Sequence, residues 1–336
     1  MTKKVFFLGA GFSKAIDNNY PLMPELTDNI EQKIAKSSVA EHYREIAPLI
    51  KKDIEALLTY LSTDFPWKDD TRKYANRALY FAILDIISAQ FEILAKKGRN
   101  QRITNKIWED FSKLVKDNAK DYSFITLNYD ILLEEILMKS YPYKSHYNQL
   151  YKSFYSYPMS SICSRDGCVS TRGNYFEQVP TILKLHGSAN WFWAGITPSD
   201  AIYYRTWDNY EENNIDMGLK PYIIPPVMDK NAFYNHIAIH ALWQQAEKLL
   251  KEADEIYIIG FSFPQTDLSV KYLFQSALRK SNAKIYVVNP EKEETLRVNY
   301  NKVFGDDNQN VCYDYSGRSE RDYTVTERFI SEKCKI

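Results

Sequence analysis

A chain of 336 residues is long enough to bury a full core, and at this length one large domain with a smaller attachment is expected. Lys plus Arg and Asp plus Glu both number 43, so the basic surplus that grips phosphate backbones is missing and direct nucleic-acid binding is not the default. Met1-Thr2-Lys3-Lys4 leads straight into an apolar run with no room for a signal peptide, no apolar stretch is read as long enough to span a membrane, and a cytoplasmic protein is expected.

In chain order, Lys4-Val5-Phe6-Phe7-Leu8 is a short apolar run ending in glycine, as buried parallel strands do. Residues from about 26 to 118 are helical in pattern. Ile54, Leu57, Leu58 and Leu61 share one face, as do Leu79, Ile83, Leu84, Ile87 and Phe91. This block reads as an inserted helical layer. Tyr122 to Thr126 is a second strand, with a helix from Ile131 to Met138 behind it. Residues 141–180 read as an irregular excursion, Thr181 to Leu185 as a third strand, and 189–235 as a loop-rich stretch. An α/β rhythm then returns: helix Ala241–Glu252, strand Glu255–Ile259, helix Leu268–Lys280 and strand Lys284–Val288. The expected fold class is α/β, a doubly wound parallel sheet of Rossmann-like type with an inserted helical layer or smaller domain. Residues 1–300 form the expected catalytic domain. The tail at 301–336 is polar and charged and is assigned only a docking or partner-facing role.

Four short motifs follow apolar runs, so each is expected at the same edge of one sheet, where doubly wound folds bind nucleotides. Gly9-Ala10-Gly11-Phe12-Ser13 opens a helix whose unpaired N–H groups would suit a diphosphate, although a tight strand-to-helix turn needs the same glycines. Thr126-Leu127-Asn128-Tyr129-Asp130 presents an amide and a carboxylate, either of which would also cap the next helix. Leu185-His186-Gly187-Ser188 offers an imidazole suited to general-base work near neutrality. Gly260-Phe261-Ser262 leads to Thr266 and Asp267, of which one is the expected helix cap. Asn289 ends the last strand of the series. His236 and His240 stand four apart, but no further metal ligands accompany them and they are read as structural. Cys163, Cys168, Cys312 and Cys334 match neither a disulfide framework nor a two-knuckle zinc site. The aromatic share of 15%, with 26 Tyr, suits interfaces as well as cores, so a homo-oligomer is expected.

The ordered set of motifs, spanning residues 5 to about 290, resembles the sirtuin-like NAD-binding superfamily, and within it the bacterial branch found in antiphage defence. The resemblance implies NAD as substrate. Asn128 and His186 would be the catalytic pair. Gly9, Ala10, Gly11 and Ser13 would line the diphosphate, with Phe12, Thr126 and Gly260 counted among the cofactor-binding positions. Asp130 would hold the nicotinamide carboxamide, Ser262 would face the phosphates and Asn289 the adenosine ribose. Asp267 belongs to the same strand-to-helix signature. No four-cysteine zinc module follows Gly187, and Tyr20-Pro21-Leu22-Met23-Pro24-Glu25-Leu26 stands where deacylases carry an acidic-aromatic-basic triplet. Both departures weigh against acyl-lysine chemistry without touching NAD binding. The leading expectation is an NAD glycohydrolase without metal, with NAD-dependent protein deacylation or ADP-ribosyl transfer, or a non-catalytic NAD or ADP-ribose sensor, as alternatives. The resemblance also implies activation by oligomerisation or by a defence partner, an ATPase, an Argonaute-like protein or a phage component.

Overall fold

The computed structural model describes residues 2–50, 53–98, 105–141, 153–157, 159–161, 179–194, 201–205, 218–227, 230, 234–279, 281–306, 308–317 and 324–333. Most of the excursion expected at 141–180 lies outside these residues, as do Cys163, Cys168, Cys334, His146 and Trp207.

The chain opens with β1 (Lys4–Leu8) and α1 (Ala10–Ile16), followed by α2 (Met23–Ile34), α3 (Ala40–Ile50), α4 (Ile54–Ser62), α5 (Asp70–Gly98) and α6 (Lys106–Asp117). Next come β2 (Tyr122–Thr126), α7 (Leu132–Met138), β3 (Ser160–Ser161), β4 (Thr181–Lys184), β5 (Gly187–Trp193), β6 (Tyr203–Tyr204) and β7 (Lys220–Ile223). The last part alternates α8 (Ile237–Glu252), β8 (Glu255–Ile259), α9 (Leu268–Leu278), β9 (Lys284–Asn289), α10 (Glu293–Phe304), β10 (Val311–Ser316) and α11 (Thr324–Lys333).

Six strands form one parallel sheet in the order β4-β2-β1-β8-β9-β10. Counted along the chain this is the 3-2-1-4-5-6 order of dinucleotide-binding folds, with its reversal point between β1 and β8. The central strands are buried on both faces, which is why they read as unbroken apolar runs. Phe6 stacks on Phe124 and tilts against Tyr257, while Phe7 meets Phe274 edge-on. The parallel α/β sheet with flanking helices and a helical insertion is the fold class the sequence predicts.

A second core lies in the inserted layer. Leu26, Ile30, Leu58, Leu79, Ile83 and Ile87 of α2, α4 and α5 pack there, joined to the sheet domain through Tyr129, Leu132, Ala189 and Ile223. Truncating a fully buried member such as Leu58 to Ala removes about 2–5 kcal/mol. The last helix of the helical block, α6, belongs elsewhere: Trp108, Phe111 and Val115 pack into the main core beside Phe6, Phe12 and Phe124.

Several boundaries differ from the sequence reading. By length and composition α5 carries a stretch apolar enough to cross a membrane, contrary to expectation, with 44% of that stretch buried inside the molecule against α2, α4, β5 and β7. The stretch expected to be loop-rich contributes β5, β6 and β7 to a small second sheet. Helix α8 starts at Ile237 rather than Ala241, because His236 Nδ1 accepts from the Ala238 N–H and caps it. Beyond Tyr300, β10 extends the main sheet and α11 covers it through Phe329 and Ile330. The alternation of Tyr313 and Tyr315 inside a polar run hides that strand in the sequence.

Candidate active site

Strand register brings the motifs together. Leu8 pairs with Thr126 on one side and Ile259 on the other, Ile259 pairs with Val288, and Thr126 with Lys184. Asn128, Gly9, Gly260, Asn289 and His186 therefore all leave the sheet within two residues of one line. Above that line, at the β1/β8 reversal, lies a cleft of about 370 Å³, within the range of small-molecule sites. It is lined by Gly9, Ala10, Gly11, Ser13, Asn128, Asp130, His186, Gly260, Ser262, Asp267 and Asn289, among others.

Two expected residues lie outside the lining. The Phe12 ring turns into the core and meets Trp108 edge-on at 5.8 Å. Thr126 is buried; its hydroxyl donates to Leu8 O and accepts from the Asn128 N–H, so it shapes the turn under Asn128.

At the glycine end the small residues serve one another. The Gly11 N–H donates to Gly260 O, the Gly9 N–H to Ile259 O and the Phe12 N–H to Gly9 O, so these donors are already partnered within the protein. Gly260 has φ +66, and a Cβ there would sit 2.3 Å from Phe12 N. Only glycine fits that close approach of backbones. Phe263 is left-handed at φ 51 and is held by the rings of Phe261, Phe274, Tyr300 and Phe304. Its burial leaves Ser262 to line the cleft. Asn289 is buried, donating to Phe261 O and accepting from the Glu291 N–H.

Asn128 Nδ2 donates to Gly9 O at 2.9 Å and to Ser13 Oγ at 3.0 Å. A carbonyl only accepts, which fixes the amide's orientation and leaves its Oδ1 for a hydroxyl or a water. The Ser13 hydroxyl passes the sequence on by donating to Asp130 Oδ2 at 2.8 Å. Asp130 Oδ1 accepts from the Leu132 N–H and so satisfies the first N–H of α7, whose N-cap position is taken by Ile131 without a side-chain bond. Burial raises the Asp130 carboxyl above its ordinary range, against the lowering effects of Lys184, the Leu132 N–H and Ser13. Below it, Lys184 donates to Asp130 O and pairs with Glu134 at 3.2 Å, both side chains fully enclosed.

His186 is 6% exposed, and its Nε2 is buried without a hydrogen-bond partner among the described residues. Its backbone is fixed by the Ile224 N–H, and Gly187, at φ +73, turns the chain so tightly against Tyr222 that a Cβ would meet its carbonyl at 2.2 Å. The imidazole lies beside Trp243, 6.3 Å between ring centroids. Burial pushes its pKa down to about 4, with Asp267 pulling upward and Lys230 downward, so the ring is neutral at pH 7.

Sequence reasoning missed the remaining walls. Lys230 pairs with Asp267, and Glu55 enters from α4. Asp267 stands at the N-cap of α9 yet makes no side-chain cap bond, because its carboxylate is used by Lys230. The Tyr20–Pro24 segment also lines the cleft, and Glu25 just beyond it ties α2 to α1 through both oxygens on Lys14, at 2.8 Å. No local pattern marks a lone Lys after a proline pair or a Glu in a helix's first turn. Among the described residues no group of three or more His, Cys, Asp or Glu could hold a metal ion.

A family profile described as SIR2-like domain matches residues 122–304, more than half of the chain, and the protein belongs to that family. Similar solved structures include a SIR2 homologue–NAD complex, at 14% identity over 99% of this chain and 91% of that one, with a TM-score of 0.45. Another is a Sir2–p53 peptide–NAD+ structure, at 12% identity over 98% and 92%, with a TM-score of 0.41. A third, concerned with the structural basis for sirtuin substrate affinity, has 13% identity over 99% and 94% and a TM-score of 0.41. No curated protein matches the chain.

Proposed function

We propose that the cleft binds NAD and hydrolyses its nicotinamide–ribose bond, giving nicotinamide and ADP-ribose. The observation that carries this reading is the buried, partnerless Nε2 of a neutral His186 in the same cleft as the oriented amide of Asn128. A buried nitrogen without a partner costs about 1–3 kcal/mol, and such a cost is commonly met where a ligand or a proton is to be received.

In the proposed reaction NAD lies along the line of strand ends. Ser262 and Asn289 flank the adenosine and phosphate portion, and the glycine end admits the diphosphate closely because no side chain intervenes. The ribose next to nicotinamide sits between Asn128 and His186. Nicotinamide leaves neutral from a cationic glycosidic bond, so the site's task is to support the oxocarbenium-like ribose and deliver a nucleophile to C1. Asn128 accepts from the ribose hydroxyl or the water through Oδ1, and His186 takes the proton. Positioned groups of this kind contribute about 10²–10⁴-fold each. Asp130, fixed by Ser13 and the α7 N-terminus, borders the nicotinamide.

Membership of the SIR2-like family supports a second reading, in which the ADP-ribosyl group passes to an acyl oxygen or a protein nucleophile. Nicotinamide release by the purified chain, with and without an acetyl-lysine peptide, separates the two. Release from NAD alone supports hydrolysis; release only with peptide supports transfer; NAD binding without release supports a sensor. Because unrestrained NAD hydrolysis would drain the cell that makes the enzyme, we further infer a suppressed state with a slow but measurable basal turnover. Oligomerisation or a partner lifts it, as an antiphage effector would require.

A further inference from the structure

Three charged side chains from separate segments line the cleft together with His186: Glu55 in the first turn of α4, Lys230 after β7, and Asp267 at the start of α9. Lys230 and Asp267 form an ion pair with side chains 6% and 16% exposed. Removing such a pair from water is expensive, so it is a poor device for stability alone. Asp267 forgoes its helix-capping bond to make it. The Glu55 carboxyl is raised by burial, lowered by the Thr266 hydroxyl, raised again by Asp267 and lowered by Lys230. All three line one cleft, where Asp267 and Lys230 also act in opposite senses on His186, whose buried Nε2 has no partner among the described residues.

We propose that Asp267, Lys230 and Glu55 form the acceptor end of the cleft, a polar seat that holds the attacking water against His186 and turns away the aliphatic stem of an acylated lysine. This rests on the NAD-cleavage reading above. The water oxygen bonds to C1 of the ribose as the bond from C1 to the pyridinium nitrogen breaks. That electron pair stays on nicotinamide, which leaves uncharged. One water proton passes to His186 Nε2 and then to solvent, so NAD+ and water give nicotinamide, ADP-ribose and one proton. Asp267, its charge balanced by Lys230, accepts the hydrogen bond from the water's other O–H. A four-carbon stem would have to lie against an ion pair there, stripping it of solvation with no hydrogen bond in return.

Steady-state nicotinamide release by the full chain tests this, using Asp267→Asn, Lys230→Met and Glu55→Gln, each with and without an acetyl-lysine peptide. The expected result is wild-type turnover indifferent to the peptide. Asp267→Asn and Lys230→Met should lower kcat at least about tenfold with KM for NAD nearly unchanged, since the seat touches water rather than NAD. Glu55→Gln should move the acid limb of the pH profile, on which the base His186 also acts, while Asp53, Tyr129, Lys230 and Asp267 face Glu55 with charge or titratable groups. Turnover that needs the peptide would overturn the seat and the hydrolysis reading together, whereas variants that raise KM and keep kcat would overturn the seat while NAD hydrolysis stands. A wild-type chain that releases no nicotinamide defeats both readings. Thermal stabilisation by NAD reports folding; should both charge variants fail it, an unmoved acid limb in the half-buried Glu55→Gln overturns the proposal by itself.

Discussion

At the glycine end of the cleft, Gly9, Gly11 and Gly260 bond to and pack against one another's backbones. At the imidazole end, His186, Lys230, Asp267 and Glu55 gather titratable groups from four separate segments. The first end is a matter of shape: close backbone approach, satisfied donors and nothing to titrate. The second is a matter of charge held out of water, with an unpartnered nitrogen and an ion pair that stabilises little. Substitutions at the two ends should therefore fail in different ways, through folding and ligand fit at one and through turnover at the other.

The sharpest contrast comes from the catalytic pair. His186→Ala is expected to cut nicotinamide release by about 10²–10⁴-fold, with NAD still raising the melting temperature, because the residue removed satisfies no hydrogen bond through Nε2. Asn128→Ala should lose a comparable factor. In contrast to His186→Ala it should also perturb the glycine end, since it removes the amide's bonds to Gly9 O and Ser13 Oγ.

Gly260→Ala tests the shape end. A Cβ against Phe12 N, on a residue at positive φ, should cost on the order of 3 kcal/mol and abolish NAD binding and turnover together. Chemical denaturation and NAD-dependent thermal shifts would check it. A folded variant with normal NAD affinity would break the distinction drawn between the two ends.

Acid stability gives a smaller, signed effect. His186 titrates at about 4 when folded and near 6.5 when unfolded, so the unfolded chain takes up the proton first as pH falls. The residue's contribution is present above about pH 6.5 and declines towards pH 4, by about 3 kcal/mol in all. Asp130, whose carboxyl is raised by burial, works in the opposite sense, so the difference between wild type and His186→Gln is the quantity to measure. Urea melts from pH 7 to 4.5 should show a steeper loss in wild type than in the variant. The smallest change is expected from Lys14→Met, which unties α2 from α1 and should weaken NAD binding a few-fold with kcat retained.

The two ends also differ in how far they can be seen in the sequence. Strand β1 with Gly9 and Gly11, β8 with Gly260, and His186 at the end of β4 are legible because buried parallel strands are continuous apolar runs and their exits need glycine or a turn. Asn128 and Asp130 are legible as a pair, though only the structure divides their work, Asp130 bonding the first N–H of α7 and Asn128 holding Gly9 O and Ser13 Oγ. Lys230 and Glu55 carry no such signal, since lysine and glutamate in loops and first turns are ordinarily solvated. Their burial arises from how the helical layer meets the sheet, which is a tertiary matter. Strand β10 was hidden for a related reason, as an edge strand with one buried face in a polar tail.

The most direct measurement is a crystal structure of the His186→Ala chain with NAD. Hydrolysis at the reversal point of the sheet requires the nicotinamide ribose to lie beside Asn128, facing the space vacated by the imidazole, with the diphosphate over Gly9 and Gly11. Dinucleotide bound elsewhere, or with its ribose turned away from Asn128, would contradict the account.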